Sequence, residues 1–286
     1  MTKELIIRKE SKRYPGLFTV KYHNRVFYDN LWNDELIESR GRVELADGTV
    51  VVNPFTKVFN RNENGTDIDL MEPCIASYKI NGFMIAATYV PQVDQVVLST
   101  TGSLDSEFVD MAEEFFTDRM KVIIKTIGKG QTLLFEVCHK NDPHIIPEDE
   151  GLYLIGCRKV SDKTPYFSTI FNEYYLDNLA SILGCKRSSF IVGNFINIAK
   201  MVQSPDFKLE GFVVYGQVSK TVLKLKSPYY LAMKAIARVK DIEKLNKKYI
   251  DEEFYSLIEY LLLNKEEFQQ LDEQSKLQFL RDYYNE

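Results

Sequence analysis

The sequence predicts an α+β protein: a mainly antiparallel sheet region with packed helices, followed by a small all-helical segment. Two observations lead there. Over the first two-thirds of the chain, short runs rich in Val, Ile, Thr and Tyr alternate with Gly, Asn and Asp turn signals. After Pro228 the pattern changes: Tyr229 to Glu286 contains neither Gly nor Pro and is dense in Leu, Lys and Glu, a composition that favours helix throughout. The expected division is therefore a larger domain over residues 1–228 and a helical one over 229–286.

Each element follows from local pattern. Leu17 to Tyr28 reads as two strands about His23-Asn24, and Arg42 to Val52 as a hairpin about Asp47-Gly48, a dipeptide suited to the positive φ of a tight turn. Ile75 to Val90 reads as strand, tight turn at Asn81-Gly82, strand. Gln95 to Thr100 is a further strand. Leu104 to Ile127 has helical spacing, with Ser103 or Asp105 as N-cap. Strands resume at Thr132 to Cys138 and Leu152 to Cys157, and Phe167 to Leu183 and Ser189 to Val202 read as helices. Two last strands, Phe212 to Tyr215 and Thr221 to Leu225, flank a turn at Gly216.

Composition narrows the class. Of 286 residues, 45% are hydrophobic and 27% charged, which suits a globular protein rather than a disordered one. The first ten residues mix charges among apolar side chains, unlike a secretory signal, and the apolar runs are too short to cross a bilayer. Cys74, Cys138, Cys157 and Cys185 are scattered without a C-x-x-C pair, so reduced thiols and a cytoplasmic location are expected. The net charge of −5 opposes extended tracking along nucleic acid. It leaves room for a local basic pocket that handles one nucleotide and a strand end.

The chemistry centres on Lys79-Ile80-Asn81-Gly82. A lysine at a strand end can project its amine into a cleft, and a glycine behind it lets backbone approach a phosphate. The spacing alone is uninformative, because Lys125 to Gly128 and Lys208 to Gly211 share it. Lys224 and Lys226 lie two apart on a strand and so face the same way, which suits a triphosphate and should repel a third cation, lowering the pKa of Lys79 toward a nucleophilic amine. Glu136 and Glu210 stand among apolar neighbours, as carboxylates serving a cleft would. Cys138, His139 and His144 lack the second ligand pair that a zinc site needs.

The order of the surrounding blocks adds a resemblance. Ser39-Arg40-Gly41, Pro54 to Asn60, Lys79 to Gly82, Gly102-Ser103, Phe135-Glu136-Val137, Glu210 to Val214 and Leu223 to Ser227, taken in series, resemble the RNA ligase 1 family of T-even phages, within the covalent nucleotidyltransferase superfamily. The resemblance runs from about Leu36 to Tyr230. It implies an ATP-dependent RNA ligase that joins 5′-phosphate and 3′-hydroxyl RNA ends, with Lys79 as the nucleophile that carries AMP. It further implies a nucleotide pocket formed by Arg40, Lys57, Phe59, Tyr78, Lys79, Gly82, Glu136, Glu210, Val213, Lys224 and Lys226. Glu136 and Glu210 would also hold Mg2+, or Mn2+ in its place. The chain departs from the family at Thr101, where the phage enzymes carry lysine, and its tail is shorter than their helical domain.

Bland alternatives exist for each residue. Lys224 and Lys226 also suit the solvated face of an edge strand, and Phe59 is of a type more often core than stacking platform. Competing functions are a DNA ligase or capping guanylyltransferase, disfavoured because nothing resembles their oligonucleotide-binding barrel, and an idle module that binds nucleotide and RNA ends without turnover.

Overall fold

The computed structural model describes residues 2–127, 129–162, 173–245 and 254–285. In the first sheet, β1 (Ile6–Glu10) and β2 (Leu17–Tyr22) precede two short helices, α1 (Asn24–Tyr28) and α2 (Asp34–Glu38), and β3 (Arg40–Leu45) and β4 (Val50–Val52) complete an antiparallel meander in the order β1-β2-β3-β4. The β3–β4 hairpin turns at Asp47-Gly48 as expected: Gly48 has φ +87°, and the Asp47 carboxylate accepts from the Thr49 amide at 2.9 Å. The expected second strand after His23 is instead α1. The His23 ring nitrogen Nδ1 accepts from the Arg25 amide at 3.1 Å, an N-cap that starts a helix where the β pattern would have continued.

Two larger sheets follow, and the chain passes between them at the residues singled out above. After β5 (Phe59–Asn60), β6 (Pro73–Tyr78) and β7 (Phe83–Val90) flank the Asn81-Gly82 turn, but they are not partners. β8 (Gln95–Ser99), the helices α3 (Glu107–Glu113) and α4 (Asp118–Ile127), β9 (Gln131–Cys138), β10 (Gly151–Lys159), α5 (Glu173–Leu183) and β11 (Lys186–Arg187) complete the second sheet, ordered β11-β10-β9-β7-β8. The third is assembled from β12 (Phe190–Asn194), α6 (Phe195–Val202), β13 (Gly211–Gly216) and β14 (Val222–Lys226), with strands ordered β12-β6-β13-β14-β5. Residues 79–82 therefore bridge two sheets rather than close a hairpin.

The helical run expected from Leu104 to Ile127 is split into α3 and α4. Neither Ser103 nor Asp105 is the cap. Ser106 occupies that position, and Asp105 is engaged elsewhere, accepting from Ser11 Oγ at 2.7 Å and the Arg13 amide at 3.0 Å. Of the run expected from Phe167, α5 forms the described part; residues 163–172 lie outside the described residues. Ser189 to Val202 is part strand and part helix: β-branched Ile191 and Val192 pair with β6, and helix begins only after Asn194 at the N-cap.

The central sheet is covered on both faces. Ile85, Leu133, Phe135 and Val137 meet α3, α4 and α5 on one side, while Ala86, Val97 and Leu134 meet Leu17, Val43 and Val52 of the first sheet on the other. That is why β9 reads as a continuous apolar run interrupted by one acid, Glu136. The third sheet buries Ala76, Phe212, Val214 and Leu223 under Phe195, Ile198 and Val202 of α6.

The tail comprises α7 (Pro228–Arg238), α8 (Tyr255–Leu263), α9 (Lys265–Gln270) and α10 (Glu273–Asn285), around a core that includes Met233, Ile236, Leu257, Leu261, Phe268 and Leu280. Ile145 and Ile146, from the loop after β9, join this core, and Arg281 on α10 donates to the carbonyls of His144 and Ile145 at 3.3 and 3.0 Å. Among the described residues no helix is long and apolar enough to cross a membrane. All four cysteines are free thiols.

One buried ion pair ties the first sheet's helix to the second sheet. Arg158 on β10 is 2% exposed and donates to both Glu38 oxygens at 2.9 and 2.8 Å, to Asn53 Oδ1 at 3.0 Å and to the Pro54 carbonyl at 2.8 Å. Arg158→Met strands the Glu38 carboxylate, so chemical denaturation should record a loss of about 3–5 kcal/mol.

Candidate active site

Lys79 is held from both sides of the bridge it sits on. Its amide donates to the Gly211 carbonyl at 2.9 Å, which fastens it to the start of β13. Its amine lies 3.1 Å from Glu210 Oε2, on the third sheet's side, and 3.8 Å from Glu136 Oε1, on the second sheet. Two glycines permit this. Gly211 has φ +139°, and a Cβ there would lie 2.0 Å from the Leu225 carbonyl oxygen. A Cβ on Gly82 would lie 2.2 Å from the Val137 carbonyl oxygen. Gly82 thus serves close packing of the bridge on β9, a different reason from the phosphate approach expected of it, and its amide reaches Glu136 Oε1 at 3.3 Å.

Glu210 is the hub. It is 2% exposed, and its Oε2 accepts from Lys79 and, at 2.5 Å, from Asn81 Nδ2, while Oε1 lies 3.4 Å from Lys226 Nζ. The β13–β14 register pairs Gly211 with Lys226, which sets that lysine beside it, and Val213 with Lys224 two residues further along. Asn81 is itself buried. Its Oδ1 accepts from the Ile146 amide at 2.9 Å and its backbone amide reaches Glu148 at 3.2 Å, so the loop after β9 is tied to the same centre.

These groups open onto one cavity of about 500 Å³, within the usual range for a small-molecule site. Arg40, Tyr78, Lys79, Gly82, Glu136, Glu210, Val213, Lys224 and Lys226 all line it. Lys57 and Phe59 do not. Phe59 is buried with its ring edge-on to Trp32 at 5.3 Å, which makes it core rather than a base-stacking surface. Lys57 faces a neighbouring recess, where its amine lies 3.7 Å from Glu63 and over the Phe27 and Trp32 rings. Thr101, at the departure from the phage pattern, lines the cavity, and Gly41 packs so tightly on it that a Cβ would meet the Thr101 Cα at 2.6 Å.

Several lining residues were not foreseen. Asn81 stands inside the lysine motif and its role could have been inferred from a buried amide's need for partners. Tyr230, Lys234 and Arg238 come from α7, one helical turn apart, a spacing visible in the sequence once the helix start at Ser227-Pro228 is recognised. His144 also lines the cavity, with its Nε2 2.8 Å from Asp142, whereas His139 is turned to Glu114 at 3.3 Å.

The electrostatics reverse one expectation. Burial disfavours a charged Lys79, but Glu136 and Glu210 outweigh it and hold the amine above the ordinary lysine pKa. The depressed lysine is Lys224: burial first, then repulsion from Lys57, Arg40, Lys226 and Lys79, pulls it down to about 7. Lys226 is lowered by burial but partly supported by Glu210. Sequence reasoning counted the cations correctly and overlooked the two acids that reach Lys79 first.

The fold recurs in nucleic-acid ligases. An archaeal ATP-dependent RNA ligase superposes with a TM-score of 0.59 at 13% identity over 85% of this chain and 63% of that one, and a second form of an archaeal RNA ligase with 0.58 at 11% over 96% and 72%. A putative ATP-dependent DNA ligase from Aquifex aeolicus gives 0.58 at 12% over 91% and 70%, so backbone likeness does not separate RNA from DNA. This chain thus spans somewhat under two-thirds of the length of the first archaeal ligase. No curated protein matches the sequence significantly. The family model does discriminate: the chain belongs to the RNA ligase family, whose model matches residues 36–231.

Lys224 gives a test of the cavity's preference for anions. A bound polyphosphate favours its charged form, so binding raises its pKa from about 7 and takes up a proton. Affinity for inorganic tripolyphosphate should therefore fall as pH rises above 7, relative to Lys224→Met measured in parallel by calorimetry. Equal pH slopes in the two proteins would place the anion elsewhere.

Proposed function

We propose that this protein is an ATP-dependent RNA ligase that carries AMP on Lys79. The observation that carries the reading is the position of that amine, on a bridge between two sheets, facing a buried acid from each and flanked by Lys224 and Lys226 in a nucleotide-sized cavity. A solvated lysine would need none of this enclosure.

Three displacements follow. Lys79 Nζ gives up a proton, for which the facing Glu136 carboxylate with its raised pKa is the acceptor, and bonds to the α-phosphorus of ATP while the bond to the β-phosphate oxygen breaks, releasing pyrophosphate. An oxygen of an RNA 5′-phosphate then attacks the same phosphorus, and the N–P bond breaks to free the lysine. Finally an RNA 3′-hydroxyl attacks the 5′-phosphorus, loses its proton, and AMP departs. Arg40, Lys224 and Lys226 supply the positive field for the phosphates, Tyr78 and Val213 line the pocket, and Glu210 holds Lys79 and Asn81 in place. Lys57, outside the cavity, adds to that field only through its coupling to Lys224 and Arg40.

Mg2+ commonly binds through one or two carboxylates plus substrate phosphates, rather than in an all-protein cage. Among the described residues no group of three or more His, Cys, Asp or Glu side chains is gathered for a metal, so the pair Glu136 and Glu210 fits that phosphate-assisted mode. Mg2+ or Mn2+ held by that pair would offset triphosphate charge. The four free thiols agree with action in the cytoplasm. We divide the chain into a nucleotidyltransferase domain, 1–228, and a helical domain, 229–286.

With labelled ATP and magnesium, the wild-type chain should acquire acid-stable label and Lys79→Ala none. The variant should still seal RNA bearing a pre-formed 5′-adenylate. Label on the variant would assign the nucleophile to another lysine. Sealing of 5′-phosphorylated DNA in preference to RNA would overturn the substrate.

Glu210→Gln and Glu136→Gln each remove one charge from a polar centre while keeping shape. Each should slow adenylylation at least about tenfold with the fold intact by circular dichroism. A near wild-type rate with normal magnesium dependence would reduce that acid to a structural partner.

A further inference from the structure

The cations lining the cavity fall into two groups. Lys224 interacts with Lys57 and Arg40 on the sheet side. Lys226 is coupled to Lys224 as well as to Lys234, whose other cationic neighbour is Arg238 on the tail side. Lys79 is coupled to both groups. One nucleotide accounts for the sheet-side group together with Lys226, and Lys234 and Arg238 are left without a substrate.

That second group is built rather than incidental. Tyr230, Lys234 and Arg238 recur every fourth residue, so they form one stripe along α7, and all three line the cavity. Lys226 and Lys234 both lie over the buried Tyr230 ring, at 4.8 and 5.6 Å. Arg238 is braced by Glu273 of α10 at 3.0 Å. Lys234 is half-buried, and among the described residues no carboxylate lies within ion-pair distance of it. Of the other basic groups lining the cavity, Arg187 of β11 is committed to Glu173 and Asp177, and His144 to Asp142.

Chemistry supplies the missing ligand. In-line displacement requires the group that attacks the lysine-bound phosphorus and the lysine that leaves it to lie on opposite sides. The cavity must therefore hold a second phosphate beside the nucleotide. We propose that Lys234 and Arg238 seat the 5′-phosphate of the RNA strand that accepts AMP, so that the helical tail completes the acceptor half of the site. This rests on the ligase reading above.

The test uses the full chain with magnesium and a single-stranded RNA oligonucleotide bearing either a 5′-phosphate or a 5′-hydroxyl. Lys234→Met, Arg238→Met and the double variant are compared with Lys234→Arg, which keeps the charge. In single-turnover reactions at limiting RNA, the double variant should lose about ten- to a hundredfold in AMP transfer beyond any loss in AMP attachment, and Lys234→Arg should recover much of it. Separately, without ATP, fluorescence anisotropy should show wild type preferring the 5′-phosphorylated strand and the double variant losing that preference. Equal losses in attachment and transfer would assign the pair to the triphosphate and overturn the proposal, as would a 5′-phosphate preference that survives in the double variant. Failure of wild type to acquire AMP would instead sink the ligase reading, while the anisotropy comparison still judges this one.

Discussion

The Glu210 carboxylate is the interaction on which the rest of the centre depends. Almost wholly excluded from water, it is bonded to Lys79 and Asn81 through one oxygen and approaches Lys226 with the other. A buried charge is tolerated only when its lone pairs are met. Here, the groups that meet them come from the bridge between sheets and the end of β14. Removing a lysine leaves the carboxylate with an unbalanced charge and removing Asn81 leaves it with an unmet lone pair, which is why these residues stand as one unit rather than as separate contacts.

The geometry around that carboxylate explains why the order of short blocks in the sequence carries information. Arg40 begins β3, Lys79 follows β6, Glu136 lies within β9, and Glu210 and Lys226 bracket the β13–β14 hairpin. All but Glu136 are at or beside a strand end, where a side chain can turn toward a cleft while the strand itself is fixed by apolar burial. A chain with the same residues in a different order would require different crossings. Gly82 and Gly211 are fixed by the close approach of neighbouring backbone, so their identity reports sheet packing as much as chemistry.

Much of the fold was legible because its signals are local. Asp47-Gly48 turns a hairpin, and the absence of Gly and Pro after Pro228 marks the helices. Failures arose where a tertiary partner decided the outcome. His23 could cap a helix or continue a strand, and only the cap bond to Arg25 resolves it. The Asn81-Gly82 turn has the composition of a hairpin, yet pairing of β6 with β13 and of β7 with β9 makes it a crossing. Within the site, residue types suggested the lysines and acids and the family resemblance gave them roles, while the same resemblance put forward Phe59, which is packed against Trp32. The charge state of Lys79 differs from the expectation because distances between acids and amines cannot be read from sequence separation, and here carboxylates 57 and 131 residues away come within 3.8 and 3.1 Å of the amine and outweigh the lysines.

The bridge has a mechanical consequence. Lys79 is bonded by its own amide to Gly211 and so travels with the third sheet, along with Glu210. Glu136 travels with the second. A small opening between the sheets stretches the separation from Glu136 while leaving that from Glu210 intact, so breathing of the cleft alters the field at the amine through one acid alone. On the ligase reading, a nucleotide seated against both sheets would hold that separation fixed, and the charge on the lysine would report how firmly the two halves are clamped together.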